Sequence, residues 1–172
     1  MTRFARLFAL SACAAVVFAA VPADAATPGG AALSKTKKSV SWTGTANLSS
    51  PFFEPFSDVV FFDCNLVSDP NCDHFSLKID LGEGAKIQIT LTAPDPADPD
   101  DLAKPYNDFD VYIYQSPSSA PVAMGTNSGN EKFTYVHKSR FRNKPYDIAI
   151  RPWLVMPGTT YKATAKAITI GR

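Results

Sequence analysis

The chain has 172 residues, of which 45% are hydrophobic and 19% charged, and its formal net charge is +1. That is enough apolar material for one packed domain, and it excludes a disordered tail. The near-neutral balance excludes a general nucleic-acid binder, whose counterion-release affinity needs a strongly basic surface, and nothing in the composition names a substrate.

Residues 1–25 read as a secretory signal. Arg3 and Arg6 form a basic n-region, Leu7 to Ala20 an apolar stretch, and Ala23-Asp24-Ala25 the small-x-small cleavage pattern. Cleavage starts the mature chain at Ala26 and sends it out of the cytoplasm, to an extracellular or periplasmic location. The uncharged run from Leu7 to Ala23 is at the short limit for a spanning helix, so no membrane span is expected in the mature form. A competing signal is Leu10-Ser11-Ala12-Cys13, which resembles the bacterial lipoprotein box. Lipidation at Cys13 would leave a cramped apolar stretch and a mature start of "CAAVVFAAV", which favours cleavage after Ala25. The following "ATPGGAALSKTKKS" is small, polar and glycine-bearing, so residues 26–38 are expected as a flexible arm and residues 39–172 as a single domain.

Through that domain apolar residues alternate with period two: Val40, Trp42 and Gly44; Phe75, Leu77, Ile79 and Leu81; Ile87, Ile89 and Leu91; Phe109, Val111 and Ile113. Phe133 and Tyr135, then Tyr146, Ile148 and Ile150, and finally Tyr161, Ala163, Ala165 and Ala167 repeat it. Each run reads as a half-buried strand with one wet face. Helical spacing is nearly absent, and breaks such as Asp69-Pro70-Asn71, "APDPADPDD" and Met156-Pro157-Gly158 act as connections. The expectation is an all-β fold, an antiparallel β-sandwich of jelly-roll or Greek-key type with seven to eight short strands.

After cleavage Cys64 and Cys72 are the remaining cysteines, an even pair in an exported chain, and a disulfide between them is expected. His74 and Asp73 follow Cys72 directly, but a zinc site would want a second paired cluster, and His137 stands apart among Tyr and Lys. The stretch "SPFFEPFSDVVFF" packs Phe52, Phe53, Phe56, Phe61 and Phe62 together, as core or as a greasy binding edge. Trp153 carries the same alternative, a lid over the core or an exposed anchor.

Charge is uneven along the chain. Glu54 to Asp110 holds 13 acidic residues against Lys78, Lys86 and Lys104, whereas Glu131 to Arg172 holds nine basic residues against Glu131 and Asp147. Strands from the two halves interleave in a sandwich, so mutual compensation between neighbouring strands is expected.

Two sets of residues are candidate sites. Asp95, Asp98, Asp100 and Asp101 precede Asp108 and Asp110, and calcium takes six to eight oxygen ligands from such carboxylates and nearby carbonyls. Period two also puts Asp108, Asp110, Tyr112 and Tyr114 on one face of a strand, a candidate ligand face for a sugar or a peptide. No Gly-x-Ser-x-Gly elbow, His-Glu-x-x-His pair, phosphate loop or dinucleotide fingerprint occurs, so catalytic residues are not assigned. The rival class, a small secreted hydrolase, would require a deep pocket holding His74 or His137 near a carboxylate.

The runs "DHFSLKIDLGEGAKIQITLT", "NDFDVYIYQ" and "PGTTYKATAKA" resemble the bacterial pre-peptidase C-terminal domain. Asp108 and Asp110 match that family's paired aspartates and Tyr161 the tyrosine of its final strand. Lys144-Pro145-Tyr146 departs from its usual Gly-Thr-Tyr entry, and the Asp-Pro loop is longer. The resemblance implies a small β-sandwich acting as a non-catalytic accessory or binding module. The residues themselves leave carbohydrate, peptide or another extracellular protein as partners and calcium as the one cofactor to consider.

Overall fold

The computed structural model describes residues 26–46, 64, 72–94, 107–115, 118, 120–127, 129–138, 140, 144–155 and 158–171. Nine strands follow in chain order: β1 (Gly30–Ser34), β2 (Ser39–Thr45), β3 (Asp73–Asp80), β4 (Lys86–Thr92), β5 (Asp108–Gln115), β6 (Ala123–Gly125), β7 (Glu131–Val136), β8 (Tyr146–Leu154) and β9 (Thr160–Ala167). They form a five-stranded sheet in the order β1-β3-β8-β5-β6 and a four-stranded sheet in the order β2-β9-β4-β7. The inward phases of both sheets build one core, so the chain is an all-β sandwich.

The period-two positions read from the sequence are the inward ones. Phe75, Leu77 and Ile79 on β3, Ile87, Ile89 and Leu91 on β4, and Phe109, Val111 and Ile113 on β5 are all buried. Trp42 lies flat on Phe75 of the opposite sheet, with ring centroids 3.9 Å apart and planes 4° from parallel. Room for that pair comes from β9, whose inward residues after Tyr161 are Ala163, Ala165 and Ala167; Trp42 is paired with Ala163.

Three expectations change. Residues 30–34, inside the segment expected as a flexible arm over 26–38, form β1, which pairs parallel with β3 and buries Leu33 completely. The small residues that read as flexible are what let this strand come close: a Cβ on Gly30 would stand 2.8 Å from the Ser76 carbonyl oxygen. Among the described residues nine strands stand where seven to eight were expected, because β1 is hidden by its small residues and β6 is too short to show alternation. One parallel pair accordingly interrupts an otherwise antiparallel architecture. The third change concerns charge, which separates by sheet. The outward positions of the four-stranded sheet carry Lys86, Lys132, Lys162 and Lys166 and no Asp or Glu. The outward face of the five-stranded sheet holds Asp80, Asp108, Asp110 and Asp147 against Lys78 and Arg151.

Cys64 and Cys72 are joined by a disulfide, with Cα atoms 5.7 Å apart. The bridge lays Cys64 on the outer face of the five-stranded sheet, where it is buried against Tyr114 and Ala149, with Cys72 and Tyr112 alongside. Residues 1–25, expected as a secretory signal, the Phe52 to Phe62 cluster, Met156 and Pro157 lie outside the described residues. Among the described residues no helix is long and apolar enough to cross a membrane.

Replacing both cysteines by alanine removes a short covalent loop and this second core together. The expected cost is about 2–3 kcal/mol of stability, read by chemical denaturation, and mass spectrometry of the unreduced mature protein should show no free thiol at Cys64 or Cys72.

Candidate functional site

Strand directions bring most of the titratable side chains singled out above to one end of the sandwich. There β2, β4 and β8 finish and β3, β5, β7 and β9 begin. The connection carrying Asp95, Asp98, Asp100 and Asp101 leaves and returns at this end, between Pro94 and Asn107, and the Asn107 side-chain amide donates to the Pro94 carbonyl. Those four aspartates lie outside the described residues.

The other two candidate calcium ligands are on β5. Asp108 Oδ1 accepts the Gly129 amide at 3.2 Å, and Asp110 Oδ2 accepts the Tyr112 hydroxyl at 3.1 Å. A third carboxylate joins them. Glu131, at the start of β7, is 1% exposed; Asn127 donates its backbone amide to Oε1 and its side-chain amide to Oε2, the latter at 3.2 Å. Gly125 makes this burial sterically feasible, since a Cβ there would sit 2.5 Å from Glu131 Oε2 and against the Phe133 ring.

Burial pushes all three carboxyl groups above the usual range. For Asp110 the Asp108 charge adds to the rise while Tyr112 and Arg151 oppose it, and for Glu131 the Asn127 hydrogen bonds oppose it while Asp110 and Asp108 add to it. Arg151, paired with Asp110 across β5 and β8, stacks its guanidinium 4.5 Å from the centre of the Trp153 ring. Trp153 is half-buried beneath this guanidinium. Among the described residues no three His, Cys, Asp or Glu side chains form a group that could hold a metal ion.

Behind this cluster a second carboxylate is buried between the sheets. Asp73, at the head of β3, faces inward in phase with Phe75 and accepts the Tyr161 hydroxyl from β9. Gly44 lies opposite Tyr161 in the pairing of β2 with β9, and any side chain there would collide with Asp73 Oδ2 and the Tyr161 ring. Burial lifts the Asp73 pKa to about 6, with Tyr161, the Ala26 and His74 amides and the His74 ring pulling the other way. Burial and the neighbouring Asp73 together hold the Tyr161 hydroxyl protonated. Outside this pair opens a groove of about 600 Å³, walled by Thr27, Thr43, Thr45, Thr92, Thr160 and Lys162.

The candidate ligand face on β5 is partly closed. Asp108, Asp110, Tyr112 and Tyr114 do share a side, and the Tyr112 and Tyr114 rings stack at 6.2 Å. Tyr114, however, is only 5% exposed, because the disulfide holds Cys64 over it. Tyr112 remains half-buried and tied to Asp110.

The two histidines have structural partners. His74 Nδ1 lies 3.0 Å from both Asp147 carboxylate oxygens, and its Nε2 is shielded from solvent. His137 is 1% exposed; its Nδ1 is 2.8 Å from the Tyr146 hydroxyl, which also receives the Tyr135 hydroxyl at 2.9 Å. Neither histidine lines the groove.

No protein family's sequence profile matches the chain, and no curated protein matches it. Among solved structures it is similar to the pre-peptidase C-terminal domain of a collagenase from Bacillus anthracis. The TM-score is 0.45 and the sequence identity 9%, over 80% of this chain and 94% of that one.

Glu131, Asn127 and the Asp73–Tyr161 pair are absent from the sequence-based candidates. Their signal was phase: Glu131 stands two residues before Phe133, and Asp73 two before Phe75, which places a carboxylate on an inward position in each case.

The raised Asp73 pKa has a definite sign. Folding favours the protonated acid, so the stability this group contributes is fully present below about 3.8 and is lost as pH rises through about 6. Melting temperatures measured from pH 4 to 8 for the native protein and for Asp73→Asn should separate progressively between about pH 4 and 6 and run parallel above that. The difference in stability is on the order of 2 kcal/mol across that window; curves parallel throughout would contradict it.

Proposed function

We propose that the chain is a secreted, non-catalytic binding or accessory module for carbohydrate, peptide or another extracellular protein. The observation that carries this reading is the use made of the two histidines. His137 is sealed in the core on Tyr146, and His74 is held by Asp147 with its second nitrogen shielded, so each maintains the fold rather than facing a groove. The alternative, a small secreted hydrolase, needs a general base presented to a substrate. Purified mature protein assayed against ester, peptide and glycoside substrates should show no turnover. Turnover abolished by His74→Ala or His137→Gln, in variants that keep the native circular-dichroism spectrum, would establish the hydrolase instead.

Calcium belongs to the same reading. Asp108 raises the proton affinity of Asp110, both raise that of Glu131, and Asp95, Asp98, Asp100 and Asp101 belong to the connection that ends beside them. A divalent cation relieves such repulsion. An ion bound only by the folded state adds about 2.7 kcal/mol at a hundredfold excess over its dissociation constant. Melting with millimolar calcium should therefore exceed melting with chelator, and the increase should vanish in Asp108→Asn, Asp110→Asn. An unchanged melting temperature would make the acidic connection a solvated turn.

A further inference from the structure

The outer face of the four-stranded sheet has no layer packed on it among the described residues, and its register gives it a regular chemistry. Strand β4 serves as the ruler, because its outward residues Lys86, Gln88, Thr90 and Thr92 mark four successive rungs across the sheet. Each rung carries one lysine. Lys86 itself occupies the first, beside Val136. Lys166 stands level with Gln88, Lys132 with Thr90, and Lys162 with Thr92. Two residues of strand separate successive rungs, about 6.8 Å, so the four ammonium groups are strung over about 20 Å along the strand direction. All four lysines are exposed, and none is in an ion pair among the described residues.

Between the lysines the face is hydroxylated. Ser41 and Thr164 have their hydroxyls 3.0 Å apart on one rung, and Thr43, Thr90, Thr92 and Thr134 continue the floor. Hydroxyls both donate and accept, which suits a polyol. No outward position of these strands carries an aromatic residue, so the stacking platform used for single-stranded nucleic acid is missing. On the strands of this face the one exposed large aliphatic side chain is Val136, on the first rung, with Ile168 and Ile170 following the end of β9, too little for a membrane-seated face.

We propose that this face binds a linear anionic polysaccharide laid along the strands, its sulfate or carboxylate groups meeting one lysine per rung and its hydroxyls meeting the Ser and Thr floor. The commitment rests on charge complementarity: four regularly spaced cations, no competing carboxylate on the face among the described residues, and point charges rather than guanidinium forks. It deepens the binding-module reading and depends on it.

The test uses the mature chain with heparin as the anionic probe and dextran as the neutral one. Heparin should bind and dextran should not. The logarithm of the binding constant should fall with the logarithm of salt concentration at a slope of about −3 to −4, as four released counterions require. Lys86→Gln, Lys132→Gln, Lys162→Gln and Lys166→Gln together should abolish binding with an unchanged melting temperature, whereas Lys35→Gln, Lys37→Gln should not. Ser41→Ala, Thr164→Val should weaken binding several-fold while leaving the slope intact. Binding that survives the fourfold lysine substitution would overturn the assignment. So would duplex DNA or anionic vesicles bound as tightly as heparin at equal salt, or no binding to heparin at all. Absence of heparin binding with absence of turnover refutes this face alone; only turnover refutes the module reading.

Discussion

Everything in this sandwich is arranged around the stack of Trp42 on Phe75. Two large rings lying flat on each other across the sheet interface need more room than ordinary paired side chains. The fold accommodates them with one strand of small residues, β9, set between β2 and β4 so that large side chains on both flanks lean over Ala163, Ala165 and Ala167. A packed interior tolerates neither voids nor overlap, so the alanines and the tryptophan specify each other. Period two then ties this core requirement to the surface. The residues that alternate with these inward positions, Lys162, Thr164 and Lys166, must point outward, and they supply two of the four lysines of the basic, hydroxylated face.

The apolar centre is closed at each end by polar side chains that reach across. At one end Tyr161 of β9 meets Asp73 of β3; at the other Tyr135 of β7 meets Tyr146 of β8, with His137 behind it. Both contacts join opposite sheets. Buried hydrogen bonds of this kind contribute modestly to net stability but are costly to leave unmade, so a slip of either sheet by one residue would strand several polar groups at once. Gly44 and Gly125 mark where the backbone gives way to carboxylates.

Much of this architecture is legible in the sequence, because period two survives wherever one face is buried and one is wet. The seven longer strands announce themselves through runs such as Phe75 to Ile79 and Ile87 to Leu91. What stays hidden has physical causes. Strand β1 is built from Gly30, Ala31 and Ala32, whose smallness serves close approach and imitates a linker, and β6 is three residues long. Sheet membership is likewise silent in a linear reading, and with it the separation of charge: Lys132 and Lys162 lie far apart in the chain and on neighbouring rungs in space. Of the candidate site, Asp108 and Asp110 were readable, whereas Glu131 and Asp73 were disguised as ordinary charged residues at strand starts. Tyr114 was misjudged because the span of the disulfide says nothing about which face Cys64 will cover.

The first described residues have a further role that follows from where they run. Thr27 exchanges both backbone hydrogen bonds with Thr43 on the outer side of β2, and a few residues later Gly30–Ser34 lies against β3. One short segment therefore covers a margin of each sheet, like a selvedge sewn down both layers of a cloth. Unpaired margins recruit strands from other molecules. A protease that trimmed the chain before Leu33 would bare the edge of β2 at Thr43 and most of the β3 edge that β1 pairs, two margins with a single cut.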